Sequence, residues 1–146
     1  MGIATATETK MLNHEYRTDT YTKPTNRYLA LFESDPGEAG TLTSEVSTSG
    51  SGYARVAIPC DDAEWTAPAD DGSGLQFIEN ASQIDFAGPV TADWRSGNPI
   101  AYWAMVTTAS GAGDVIDYGP ITSPFVVLNG NTPPSVAAGD LVIKRG

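Results

Sequence analysis

Turn-forming residues punctuate this chain from end to end, and they restrict what it can become. Fifteen glycines and ten prolines, interleaved with serine and threonine, favour many short strands over long helices. Charged residues make up only 18% of the sequence, below the usual soluble share of about 25%. The 146 residues fit one domain, and a chain of that size buries roughly 70% of its extended surface.

The strand pattern is readable segment by segment. Arg27–Phe32 carries large residues on both faces, which predicts a central strand of a packed sheet. Tyr53–Pro59 follows, with Tyr53, Arg55 and Ala57 expected on one face and Ala54, Val56 and Ile58 on the other. Leu75–Ile78 and Ser82–Phe86 are shorter candidates. Ile100–Thr108 alternates most strictly, and Ser110-Gly111-Ala112-Gly113 returns it antiparallel into Asp114–Tyr118. Ser123–Leu128 and Asp140–Lys144 complete the set. The expectation is a mainly β fold, an antiparallel β-sandwich or jelly roll of about eight short strands with one N-terminal helix.

That helix is predicted over Ala6–Thr18. Thr5-Ala6-Thr7-Glu8 has the form of a capping box, and Ala4, Met11, Leu12 and Tyr16 recur near one face. Thr22-Lys23-Pro24-Thr25-Asn26 is a linker in which Pro24 turns the chain, so residues 1–26 read as a helix or docking arm and 27–146 as the β body. The stripe fits docking on the chain's own body or on a neighbour; a loose arm is the other reading.

Charge divides along the same line. The net charge is −10, yet residues 1–27 hold four basic residues (Lys10, Arg17, Lys23, Arg27) against three acidic, and the remainder holds four against fifteen. So negative a body repels phosphate backbones and anionic membranes, so neither nucleic acid nor membrane is expected as a partner. The first residues lack the basic and apolar regions of a signal peptide, and folding in a cytoplasm is the expectation.

Candidates for chemistry are sparse. Cys60 is the single cysteine and His14 the single histidine. Asp61 and Asp62 beside Cys60 would raise its pKa, so an inert thiol is expected. No G-x-S-x-G elbow accompanies His14. Asp70-Asp71-Gly72-Ser73-Gly74 lacks the alternating ligands and closing Glu of a calcium loop, and Asn80-Ala81-Ser82 reads as a chance sequon. No metal, cofactor or catalytic residue is assigned. An enzyme is not expected.

The order of segments resembles a family of small tailed-phage structural proteins, often labelled phage tail fibre proteins. The likeness rests on Lys10-Met11-Leu12-Asn13-His14, Tyr21–Phe32, Ser34-Asp35-Pro36, the G-x-G-Y-A-R run Gly50–Arg55, the hairpin Ala101–Gly119 and the closing Ala137-Ala138-Gly139-Asp140-Leu141. It implies a virion structural protein that acts by contact. A compact body with a short arm matches a capsid decoration (cement) protein on the head lattice. A short tail fibre, baseplate or tail-tip module contacting the host is the alternative. A carbohydrate-binding or hydrolytic β-sandwich is the third reading. The expected partners are the major capsid protein or other virion proteins, with a homo-oligomer, trimer or dimer. The residues expected at the partner surface are Met11, Leu12, Tyr16, Arg17, Arg27 and Arg55. For Arg55, bidentate capture of a carboxylate competes with a solvated place on a strand edge.

Overall fold

The computed structural model describes residues 1–145. Its elements in chain order are β1 (Gly2–Ile3), α1 (Thr5–Tyr16), β2 (Asn26–Phe32), β3 (Val56–Pro59), β4 (Ala69–Asp70), β5 (Gln76–Glu79), β6 (Ile84–Asp85), β7 (Ile100–Val106), β8 (Val115–Phe125), β9 (Ser135–Val136) and β10 (Val142–Arg145). All pairings are antiparallel. A main sheet runs β1-β8-β7-β2-β3, a smaller one runs β10-β5-β4, and β6 pairs with β9. The mainly β class with one helix near the N-terminus matches the sequence reading.

The main sheet is apolar on both faces, as the composition of β2 predicts. Leu29 and Leu31 point into a large core with Ile58, Met105, Ile116, Phe86, Trp94, Ile100 and Ile143. Ala30 and Phe32 point the other way, into a smaller cluster with Ala4, Ala104, Val106 and Val115. The alternation of β2 and β7 thus serves two clusters at once, which fixes their register against slippage. The smaller sheet covers the large core through Ile78 and Ile143. Aromatic packing ties its centre together: the Tyr53 and Trp94 rings meet edge-on at 5.2 Å, and Phe86 stacks on Tyr53 at 6.0 Å.

Several local expectations are corrected. The strands number ten because β1, β4 and β9 are two-residue strands, too short for alternation to announce. Asp114–Tyr118 and Ser123–Leu128 are not separate strands: β8 runs from Val115 to Phe125, leaving Val126–Leu128 outside it, and the register jumps between Tyr102↔Pro120 and Ile100↔Phe125. The ladder of β3 starts only at Val56, and the alternation slips there. Tyr53, Arg55 and Ile58 are buried while Ala57 is exposed.

The capping box does not form. Ala4 is the N-cap, without a side-chain bond, and its carbonyl accepts the amides of Thr7 and Glu8. The Thr5 amide donates to the Glu38 carbonyl at 3.1 Å, so a distant loop meets the donor that a cap would have served. β1 pairs Gly2 with Tyr118 and Ile3 with Asp117, which anchors the start of the chain in the main sheet.

The G-x-G-Y-A-R run is built as its glycines suggest. Gly50 and Gly52 have φ of +70° and +75°. A Cβ on Gly52 would lie 1.8 Å from the Pro89 carbonyl oxygen, so only glycine fits. Asn80 is a buried staple: Nδ2 donates to the carbonyls of Ser82 and Ala137 at 2.8 Å each, and Oδ1 accepts the Leu141 amide at 2.9 Å. The Asp70–Gly74 stretch closes on itself: Asp71 Oδ1 accepts the Ser73 hydroxyl at 2.6 Å and its amide at 2.9 Å. These bonds, and Lys144 beside it, hold the Asp71 carboxyl well below the usual carboxylate range.

Candidate docking surface

The first feature of the surface is where its cations are spent. All four basic residues of the β body are ion-paired within it. Arg55 pairs with Glu45, Arg95 with Glu33, Lys144 with Asp71 and Arg145 with Asp117. Among the described residues, only Lys10 of the N-terminal segment meets a carboxylate, Asp114, at 2.7 Å. Among the described residues, Arg17, Lys23 and Arg27 have no carboxylate within 4.0 Å. Lys23 Nζ donates to the Cys60 carbonyl at 2.8 Å, and Arg27 Nη2 donates to the Tyr21 hydroxyl.

The same segment carries exposed apolar side chains. Met11 is 46% exposed, Leu12 60% and Tyr16 82%, and no residue of α1 is buried. The stripe expected of α1 is therefore divided. Ala4 joins the small core ahead of the helix. Thr7, Lys10, Met11 and His14, at helical spacing, face a cavity of about 480 Å³ between α1 and the body, closed by Tyr21, Arg27 and Arg145. Leu12 and Tyr16, one turn apart, lie outside that cavity and project from the opposite side.

Beyond Arg27 and Asp117, which line both spaces, a second cleft of about 630 Å³ opens between the two larger sheets. Its floor is apolar: Ile78, Met105, Ile116, Ile143 and Trp65. Trp65 is held by its own indole, whose Nε1 donates to the Pro59 carbonyl at 3.0 Å. Lys23 and Arg27 line it together with Asp61 and Asp62, both exposed, and the Lys23 ammonium lies on the Cys60 carbonyl next to them. Sequence reasoning did not find this cleft. The sheets that form it pair residues far apart in the chain, and its only local sign was the acidic run around Trp65.

Arg55 lies elsewhere and faces inward. Its Nε and Nη2 donate to the two carboxylate oxygens of Glu45, each at 2.7 Å. Nη1 donates to the carbonyl and hydroxyl of Thr108 at 2.9 Å, and Nη2 also to the Gly111 carbonyl at 2.9 Å. The side chains of this pair are only 2% and 9% exposed. Tyr53 completes the group: its hydroxyl donates to Glu45 and accepts the Leu31 amide at 3.0 Å. Burial, then the Glu45 charge, pushes the Tyr53 hydroxyl far up, so it stays a donor. Bidentate capture of a carboxylate is thus what Arg55 does, and the carboxylate is the chain's own.

The reactive side chains are not brought together. His14 Nδ1 accepts the Tyr21 amide at 3.2 Å on the helix surface. Cys60 borders the larger cleft as a free thiol. Among the described residues no cluster of three His, Cys, Asp or Glu is placed to hold a metal ion, and no helix is long and apolar enough to cross a membrane.

A search of curated proteins finds no match to the chain. A family model does match: over residues 2–144, nearly the whole chain including β1, α1 and both clefts, it aligns with the model described as podophage GP4 fiber I protein gp80, and the chain belongs to that family of phage fibre proteins, structural components of the virion.

Proposed function

We propose that this protein is a tail fibre component of a podophage-type particle, and that it attaches to its neighbours through the outward side of α1. The family description supports the tail over the head. A capsid-decoration role draws on the compact body and the N-terminal segment alone, features that a fibre module shares equally. The observation that carries the attachment reading is the concentration of unspent interaction capacity. Leu12 and Tyr16 stand exposed on α1 with the carboxylate-free cation Arg17 at its C-cap, while the cations of the body are consumed inside it. Exposed apolar residues beside unpaired arginine have the composition of an interface centre. No turnover is part of this role.

Antibody labelling of intact particles, or cryo-electron microscopy of them, tests the location. Density at the tail is expected; density confined to the head lattice would overturn the fibre reading. Replacing Leu12 and Tyr16 by serine tests the attachment: the variant chain should fold and be missing from particles.

A further inference from the structure

We infer that the neighbour held by α1 is a second copy of this chain, in a head-to-tail contact: the Leu12–Tyr16 ridge of one copy seats in the cleft between the sheets of the next, with Arg17 against Asp61 and Asp62. This deepens the attachment reading and rests on it.

Three observations converge. The first is shape and chemistry. Leu12 and Tyr16 form a ridge one helical turn, about 5.4 Å, long. The cleft of about 630 Å³ has an apolar floor of Trp65, Ile78, Met105, Ile116 and Ile143. Spaces of roughly 300–1,000 Å³ accommodate whole small ligands, so two side chains fit.

The second is charge. Among the described residues, the cations without a carboxylate all lie in residues 1–27. Asp61 and Asp62, exposed at the cleft mouth, have no cation within 4.0 Å. Lys23 and Arg27, which line the same cleft, are engaged by the Cys60 carbonyl and the Tyr21 hydroxyl, which leaves Arg17, outside the cleft, as the cation that can meet these carboxylates from another copy.

The third is reach. Leu12 and Tyr16 line neither cavity of their own copy, because α1 turns Met11 and His14 toward the body. The ridge therefore meets a cleft only on another molecule.

Donor and acceptor are different surfaces, and with the ridge on the side of α1 turned away from the body each copy offers a free ridge and a free cleft, so the contact propagates head to tail into a ring or a filament. One helix ridge buries less than a standard interface, so association in solution is weak, with Kd on the order of 100 µM. On a particle, where copies are held close, effective concentration makes it decisive. Overall charge opposes it, and moderate salt is the condition in which local contact prevails over long-range repulsion.

Sedimentation velocity on the purified full chain, at physiological ionic strength and up to about 1 mM, should show concentration-dependent association. Two variants dissect it, each checked for native unfolding behaviour. Leu12→Ser with Tyr16→Ser removes the ridge; Asp61→Lys with Asp62→Lys reverses the mouth. Each alone should be monomeric, and their mixture should form a one-to-one complex that grows no further. A monomeric parent chain overturns the inference, as does a mixture without complex. A mouth variant that self-associates like the parent also overturns it, because the contact would then be helix on helix. If the parent is monomeric while the ridge variant is still missing from particles, only the identity of the neighbour falls. If the ridge variant is incorporated normally, the attachment reading itself falls.

Discussion

Two sets of arginines in this molecule live in opposite surroundings. Arg55 is enclosed, and its donors reach Glu45, Thr108 and Gly111 within the chain. Arg17 stands at the exposed end of α1, its backbone amide bonded to the Asn13 carbonyl and its side chain without a carboxylate. A desolvated ion pair whose five guanidinium donors are all engaged organises a fold: it ties the loop after β2 to the β7–β8 connection. An exposed cation contributes little to folding and remains available to a partner. The comparison teaches that in this acidic protein the body spends its positive charge on itself, and what remains for other molecules lies at the N-terminal end.

The sharpest way to break that comparison is at Arg55. Arg55→Ala leaves Glu45 buried without its partner, and loss of one member of a buried pair costs about 3–5 kcal/mol. Urea unfolding should show a destabilisation of that size. A loss below about 0.5 kcal/mol, the surface value, would mean that Arg55 is no more enclosed than Arg17. Replacing both partners with apolar residues, Arg55→Met with Glu45→Leu, should recover much of the loss, because no charge is then stranded.

A smaller effect is expected where the body relies on a neutral staple. Asn80 is 1% exposed and bridges Ser82, Ala137 and the Leu141 amide. Asn80→Ala strands a buried donor and two acceptors, at a cost of about 1–3 kcal/mol. It should lower the urea midpoint without changing the slope, since the folded surface is unaltered. Asn80→Asp should be worse, because the carboxylate oxygen that replaces Nδ2 would face two carbonyls.

These residues also mark how far the sequence could be read. The strands legible in advance were those whose own alternation feeds two cores, β2 and β7, together with the hairpin into β8. Their partners lie across a short turn or are announced by apolarity on both faces. Asn80 reads as a chance sequon because two of its three partners, Ala137 and Leu141, come from the far end of the chain. Trp94 lies outside every segment the sequence announces as a strand or helix, yet it is fully buried and its Nε1 donates to the Ser51 carbonyl at 3.2 Å. The left-handed backbone at Arg95 and Ser96, φ 50° and 56°, keeps that stretch from resembling any regular element. Of the surface residues, helical spacing groups Met11, Leu12 and Tyr16 on α1, but spacing alone does not tell the inward Met11 from the outward Leu12 and Tyr16. That distinction depends on β1, which sets the direction in which the helix leaves the sheet.

The smallest expected effect on stability is the one on which the comparison turns. Leu12→Ser with Tyr16→Ser alters two side chains that are 60% and 82% exposed. Surface substitutions away from caps and cores stay within about ±0.5 kcal/mol, so the unfolding midpoint should barely move. Removing residues 1–26 would be a poorer instrument, since it also deletes β1 and takes Ala4 out of the small core. A stability loss above 1 kcal/mol in the double variant would mean that the ridge packs on its own body, in which case it is no more outward-facing than Arg55. An unchanged midpoint together with absence from particles would place the two sets of residues on opposite sides of the same division, one holding the fold and the other holding its neighbour.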